Sequence, residues 1–164
     1  MTGGQTERSD FVELTRRRAL TEDAARADAV RKRHARGGRT ARENVADLVD
    51  EDSWVEWGRY AIAAQTRRLP REELIATTPA DGVVVGLGKV DGRSTAVLAY
   101  DYTVLAGTQG MRGHRKTDRM FDVIERTGVP VVFYAEGGGG RPTDSDIPLV
   151  RIAPLGVVEF GSAG

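Results

Sequence analysis

The decisive stretch reads STAVLAY (94–100), DYTVLAGTQGMRG (101–113), HRKTDRMFDVIER (114–126), TGVPVVFY (127–134) and AEGGGGR (135–141). Ser94 to Tyr100 is apolar and β-branched, as a strand requires. Residues 103–113 form a glycine-bearing loop, and the spacing predicts a helix over His114 to Arg126, with Met120, Phe121, Val123 and Ile124 as its apolar residues. Gly128 supplies a helix stop. Val129 to Tyr134 is then a short, almost wholly apolar run, the pattern of a strand covered on both faces. Strand, loop, helix, strand and loop make a βαβ crossover from about 94 to 136, right-handed on general grounds. The architecture is therefore α/β.

Upstream, Gly82 to Val90 is a second β-branched run, and Asp91-Gly92 is a two-residue hairpin signal joining it to the 94–100 strand. Residues 8–36 lack Gly and Pro and read as one helix, with a thin apolar stripe of Phe11, Leu14, Arg18 and Ala25 that needs something larger to lie on. Gly37-Gly38 ends it. Thr40 followed by Glu43 is a capping box for a short helix through Val45, Leu48 and Val49. Asp50 to Ser53 closes that helix, and Trp54 to Trp57 resumes as an extended segment. These readings divide the chain into an N-terminal helical arm, 1–50, and a domain over 51–164.

Composition narrows the chemistry. Lys+Arg and Asp+Glu are both 24, giving no net charge and no global field for a polyanion, so a general nucleic-acid binder is disfavoured. The absence of cysteine removes disulfides, thiolate zinc, iron–sulfur clusters and a cysteine nucleophile. His34 and His114 have no metal-ligand spacing around them, and no serine sits in Gly-x-Ser-x-Gly. With no apolar run near the ~20 residues that span a bilayer and no hydrophobic signal core, the expected location is cytoplasmic, with no membrane partner.

The strongest chemical feature is Gly137-Gly138-Gly139-Gly140, after the apolar strand. Such a run is favoured where the backbone takes φ > 0 or a ligand approaches closely. Its amides can form an anion nest or oxyanion hole beyond a strand's carboxyl end. Arg141 follows, positioned to hold a phosphate or carboxylate. Gly107-Thr108-Gln109-Gly110 lies between strand and helix, where backbone donors meet anions. The alternatives are a loose surface loop for the first and plain turn chemistry for the second. Gly86 and Gly88 do not lead into a helix, and the hairpin accounts for them. Arg31, Lys32, Arg33, Arg36, Arg39 and Arg42 form a basic cluster, read either as an acid-paired face or as an attraction for a phosphorylated ligand such as coenzyme A.

Four segments, KRHARGGRTAREN (32–44), TPADGVVVGLGKVDGR (78–93), AYDYTVLAGTQGMRGHRKTDRM (99–120) and FYAEGGGGRPTDSD (133–146), together resemble a known family in order and spacing. The chain resembles the N-terminal part of the carboxyltransferase (beta) component of biotin-dependent acyl-CoA carboxylases, the acetyl-CoA/propionyl-CoA carboxylase group. The resemblance implies a partial crotonase-like (ClpP/crotonase) fold. It also implies transfer of a carboxyl group from carboxybiotin to the α-carbon of an acyl-CoA. Biotin then arrives on a biotinylated carrier or biotin carboxylase subunit, nothing is bound covalently, and the assembly is a homo- or hetero-oligomer. The acyl-CoA contacts implied are Gly137, Gly138, Gly139, Gly140 and Arg141, with Gly107, Thr108, Gln109 and Gly110 beside them. No general base is nominated and no metal is expected.

The departures matter equally. The family's second glycine pair has no counterpart here, and IPLVRIAPLGVVEFGSAG (147–164) leaves the family pattern. The expectation is a carboxyltransferase-like chain that is incomplete alone. The alternatives are a non-catalytic fragment or interaction subunit docking on full-length carboxyltransferase oligomers, and a stand-alone nucleotide-binding domain resting on Gly86, Gly88 and Gly107 to Gly110.

Overall fold

The computed structural model describes residues 8–146. Asp91-Gly92 closes the expected hairpin, with φ of 49° and 77° at the two turn residues, the left-handed pair that matches strand twist. It joins β2 (Val83–Val90) to β3 (Arg93–Tyr100) in an antiparallel register that pairs Val85 with Leu98. The acidic stop at 50–53 has a second use: the Asp50 carboxylate accepts the amides of Asp91 at 3.1 Å and Gly92 at 2.8 Å.

The sheet is completed by β1 (Val55–Trp57), antiparallel to β2, and β4 (Val131–Tyr134), parallel to β3, in the order β1-β2-β3-β4. The β3–β4 pairing is the expected crossover, spanned by α5 (Met111–Thr127). Alternation sorts the central strands cleanly. Val83, Val85, Ala96 and Leu98 pack with Met120 and Val123 of α5 on one face. Val84, Val97 and Ala99 pack on the other with Ala41 and Val45 of α3 (Ala41–Leu48). Thr40 and Glu43 form the predicted reciprocal capping box. A satellite cluster joins Ile62 and Ala63 to Leu74 and Ile75 of α4 (Arg71–Thr77).

Three expectations are corrected. The single helix over 8–36 is instead α1 (Ser9–Leu20), a 3₁₀ turn at Asp23–Arg26, and α2 (Ala27–His34). The break turns Arg26 inward, where its guanidinium meets Asp101 at 3.0 Å with both side chains buried. Asp23 also turns in and accepts from the Thr40 hydroxyl. A tertiary ion pair thus outweighs helix propensity. The 129–134 run is not covered on both faces: Val131 and Phe133 are 39% and 38% exposed. Among the described residues β4 pairs only with β3, while α5 lies across β2 and β3. Helix α5 begins at Met111 rather than His114, because two carboxylates described below cap its first turn.

Candidate active site: two glycine loops on a buried ion pair

The chain enters β2 and leaves β3 through left-handed backbone. Ala80, Asp81 and Gly82 have φ of 55°, 50° and 75° just before β2, and Leu105, Ala106 and Gly107 have 47°, 55° and 65° in the turn after β3. Left-handed non-glycine residues are disfavoured and cluster where surrounding structure over-determines them. What holds them is polar and buried. The Asp81 carboxylate accepts from the Gly113 amide at 2.6 Å and from the Arg141 guanidinium, with side chains of Asp81 and Arg141 only 0% and 3% exposed. Arg141 also donates to the Thr108 carbonyl at 2.7 Å and the Thr108 hydroxyl at 3.1 Å. A side chain at Gly110 would collide with this pair. Burial pushes the Asp81 carboxyl up from its ordinary range, with Arg141 and the Gly113 amide pulling against it.

Asp144 accepts the Met111 amide at 2.8 Å. The first-turn donors of α5 at Met111 and Gly113 are therefore taken by the protein's own carboxylates, stabilising interactions at the positive end of the helix.

The two glycine segments meet. Gln109 donates its amide to the Gly139 carbonyl at 2.8 Å, and the Arg141 amide donates to the Gln109 carbonyl at 2.9 Å, a short parallel bridge. Gly138 donates to the Ala106 carbonyl at 3.1 Å. The Gly107 amide is spent on Val104 and that of Thr108 on Leu105. Among the described residues, the amides of Gly137, Gly139 and Gly140 donate to no protein acceptor. Gly139 and Gly140 have open space where a side chain would stand. The sequence candidates thus converge, but with divided work. Gly137, Gly139 and Gly140 are exposed with amides free of protein acceptors among the described residues, Gly107 to Gln109 buttress them, and Arg141 is buried. The Arg141 guanidinium is occupied by Asp81 and Thr108, so the expected outward anion contact is replaced by a clamp.

Beside the loops lies a groove of about 240 Å³ lined by Lys32 and Arg33 of α2 and Arg36 just beyond it, with Tyr102, Thr103 and Ala106. The basic cluster divides here. Arg31 pairs with Asp28, Arg39 with Asp47 at 2.9 Å, and Arg42 with Glu56 at 2.8 Å. Burial raises the Glu56 carboxyl, but Arg42 and Arg59 outweigh it and hold it below its usual range. Lys32 and Arg36 form no ion pair among the described residues. A larger recess, about 430 Å³, is lined by Trp57 and by Arg119, Asp122, Val123, Glu125 and Arg126 of α5, with none of the glycine-loop residues.

Sequence reasoning missed Asp81 and the depth of Lys116. Asp81 lies just before the β-branched run and Lys116 in the first turn of the expected helix, and neither position carries a local sign of its buried partners. In the fold the Lys116 ammonium donates to the carbonyls of Ala80 at 2.8 Å and Val83 at 2.5 Å, tying down the left-handed turn. Burial, partly opposed by Glu56 and Asp81, lowers its pKa to about 8. Because the unfolded lysine titrates near ~10.4, the unfolded chain binds more protons between these values, and stability rises with pH across that window. Between pH 7.5 and 9.5 the gain is about 2 kcal/mol. Urea unfolding of the native chain and of Lys116→Met checks it: the rise belongs to the native chain and is absent in the variant.

Comparison with known proteins follows the same residues. A family model described as the carboxyl transferase domain matches residues 32–149. The propionyl-CoA carboxylase beta chain of Saccharopolyspora erythraea is 38% identical over 132 residues, 80% of this chain and 23% of that protein. The biotin-dependent acetyl-/propionyl-coenzyme A carboxylase beta5 subunit of Mycobacterium tuberculosis is 34% identical over 140 residues, 85% of this chain and 25% of that one. Among solved structures, a single-chain, multi-domain long-chain acyl-CoA carboxylase superposes with a TM-score of 0.79 at 57% identity, over 85% of this chain and 15% of that one. Transcarboxylase 12S, solved with methylmalonyl-coenzyme A bound, gives 0.71 at 29% identity, over 86% of this chain and 27% of that one. The chain thus spans about a quarter of the curated relatives' length. Its mixed α/β fold is that of their crotonase-like carboxyltransferase domains, in part.

Proposed function

We propose that this chain, which belongs to the carboxyl transferase domain family, forms part of an acyl-CoA site and is incomplete as a carboxyltransferase by itself. The observation that carries this is the convergence of two glycine segments beside a cationic, tyrosine-lined groove. In the reading we favour, the groove takes the phosphate-bearing end of coenzyme A, and Gly137, Gly139 and Gly140 offer amides to the thioester. Gly138 and Gly107 to Gly110 shape the loop, and Arg141 holds it from beneath.

The reaction in question moves a carboxyl group from carboxybiotin to the thioester's α-carbon. Loss of the α-proton places negative charge on the thioester oxygen, and preorganised amides stabilise such an oxyanion more than they stabilise the ground-state carbonyl. Carboxybiotin enters as the co-substrate borne by a separate carrier subunit, and none of the described residues is assigned to it. One loop of donors supports binding; it does not by itself assemble both reactants.

Titration calorimetry of the full chain with propionyl-CoA and acetyl-CoA tests the first half. Saturable binding is expected, weaker for pantetheine, which lacks the phosphates. The absence of any coenzyme A response overturns the reading. In a turnover assay that supplies free carboxybiotin as the carboxyl donor, no carboxylated acyl-CoA is expected, and robust activity would show the incompleteness to be wrong.

A second reading, an interaction subunit docking on a larger carboxyltransferase, draws on β4, whose Val131 and Phe133 stand exposed beside an edge unpaired among the described residues. Size-exclusion chromatography with a full-length relative separates the two: a monomer indifferent to the partner rules docking out.

A further inference from the structure

The cation deepest in the groove is already occupied. Arg33 donates through one terminal nitrogen to the Glu136 carboxylate, across 103 residues of sequence. Glu136 is the residue immediately before the glycine run, so this contact joins the arm to the start of the candidate loop.

The two partners are held very unequally. Arg33 donates Nε to the Arg39 carbonyl at 2.9 Å, and its guanidinium lies 5.0 Å from the centre of the Tyr102 ring. Gly38 packs so closely on the guanidinium that a side chain there would collide with it. Its side chain is only 14% exposed, against 51% for Glu136. Among the described residues Glu136 makes no other side-chain hydrogen bond. Arg33 is therefore preorganised, and its partner is free to swing away.

We propose that Glu136 is an internal stand-in for the ligand's phosphate, occupying Arg33 until an anionic group of the acyl-CoA enters the groove and replaces it. This rests on the acyl-CoA reading above and adds a regulatory step to it. The exchange is physically favourable. A pair with one partner half in solvent contributes little and is readily surrendered. A phosphate accepts charge-assisted bonds from the planar fork while also drawing on Lys32 and Arg36. The incoming group finds Arg33 already in place, so little ordering cost is added on its side. Release of Glu136 frees the residue that leads into Gly137, which couples occupation of the groove to the position of the outward amides.

The test compares coenzyme A with pantetheine on the full chain, with folding of each variant confirmed by circular dichroism and thermal unfolding. Glu136→Gln is expected to bind coenzyme A about three- to tenfold more tightly than the native chain, with pantetheine unchanged. The gain should shrink as salt rises. Arg33→Gln is expected to weaken coenzyme A, and adding Glu136→Gln to it should bring no further gain, because the contact being relieved no longer exists. If the native chain binds coenzyme A and Glu136→Gln binds no tighter, or tightens pantetheine equally, the stand-in role is wrong and the site reading stands. If neither chain binds coenzyme A, the site reading itself fails and this step goes with it.

Discussion

Replacing Arg141 with methionine should destabilise the chain by about 3–5 kcal/mol and abolish coenzyme A binding with it. The size follows from what is stranded. Asp81 has no exposed side-chain surface, and without Arg141 its carboxylate keeps only the Gly113 amide as donor. An uncompensated buried charge is among the few single changes with effects this large. The same substitution frees the Thr108 carbonyl and hydroxyl and removes the Asp144 ion pair at 3.6 Å, the remaining anchors of the side chain. The parallel bridge between Gln109 and Gly140 then has only its own two backbone hydrogen bonds. Urea unfolding gives the stability, and calorimetry with propionyl-CoA gives the binding. Removing both charges, as Asp81→Asn with Arg141→Met, should recover part of the loss, since the fully buried Asp81 carboxylate is gone and only Asp144, 3.6 Å from Arg141 in the native chain, is left without it. A single-variant cost below about 1 kcal/mol would mean that Arg141 is solvated rather than clamped.

Much of the fold was legible because its signals are local. The Asp91-Gly92 turn needs two left-handed residues, and few dipeptides supply them. The Thr40–Glu43 box depends on four consecutive positions. Gly128 closes α5 in the left-handed conformation, as a helix stop does. The β3–α5–β4 crossover follows from a change of hydrophobic period. What the sequence concealed is nonlocal. Arg26 sits in a good helix-forming stretch, and only its partner at Asp101 makes a break there favourable. The apolar 131–134 run indicates a strand, but not how much of the sheet α5 reaches across. The candidate loops were visible as glycines, yet the direction of Arg141 was not. An arginine beside a glycine run reads as an anion ligand until a buried aspartate, 60 positions away, is known to face it. Lys116 was hidden for the same reason: its acceptors are backbone carbonyls at Ala80 and Val83, and carbonyls leave no mark in a sequence.

Gly107→Ala should cost about 3 kcal/mol, from a left-handed penalty of about 1–2 and an overpacking penalty of about 1–3. Gly107 has φ of 65°, and a Cβ there would stand 2.6 Å from the Glu136 carbonyl oxygen and 3.0 Å from the Gly137 Cα. Both are backbone atoms, so no rotamer change relieves the clash, and one loop must move off the other. The reverse approach is as close, since a side chain at Gly137 would strike the Gly107 carbonyl. Two controls separate the contributions. Gly92→Ala has φ of 77° and nothing within 4 Å of the added carbon, so it should show the backbone penalty alone, about 1 kcal/mol. Gly140→Ala has neither a positive φ nor a neighbour within 4 Å, so thermal unfolding should barely change. Its methyl nonetheless projects into the open space beside the outward amides, and coenzyme A binding should fall at least severalfold. Gly107→Ala should thus lose both stability and binding, Gly92→Ala only stability, and Gly140→Ala only binding. If Gly107→Ala proves no worse than Gly92→Ala, the loops do not press on each other. If Gly140→Ala binds coenzyme A normally, the tetraglycine amides do not face the ligand, and the groove beside α2 must act without them.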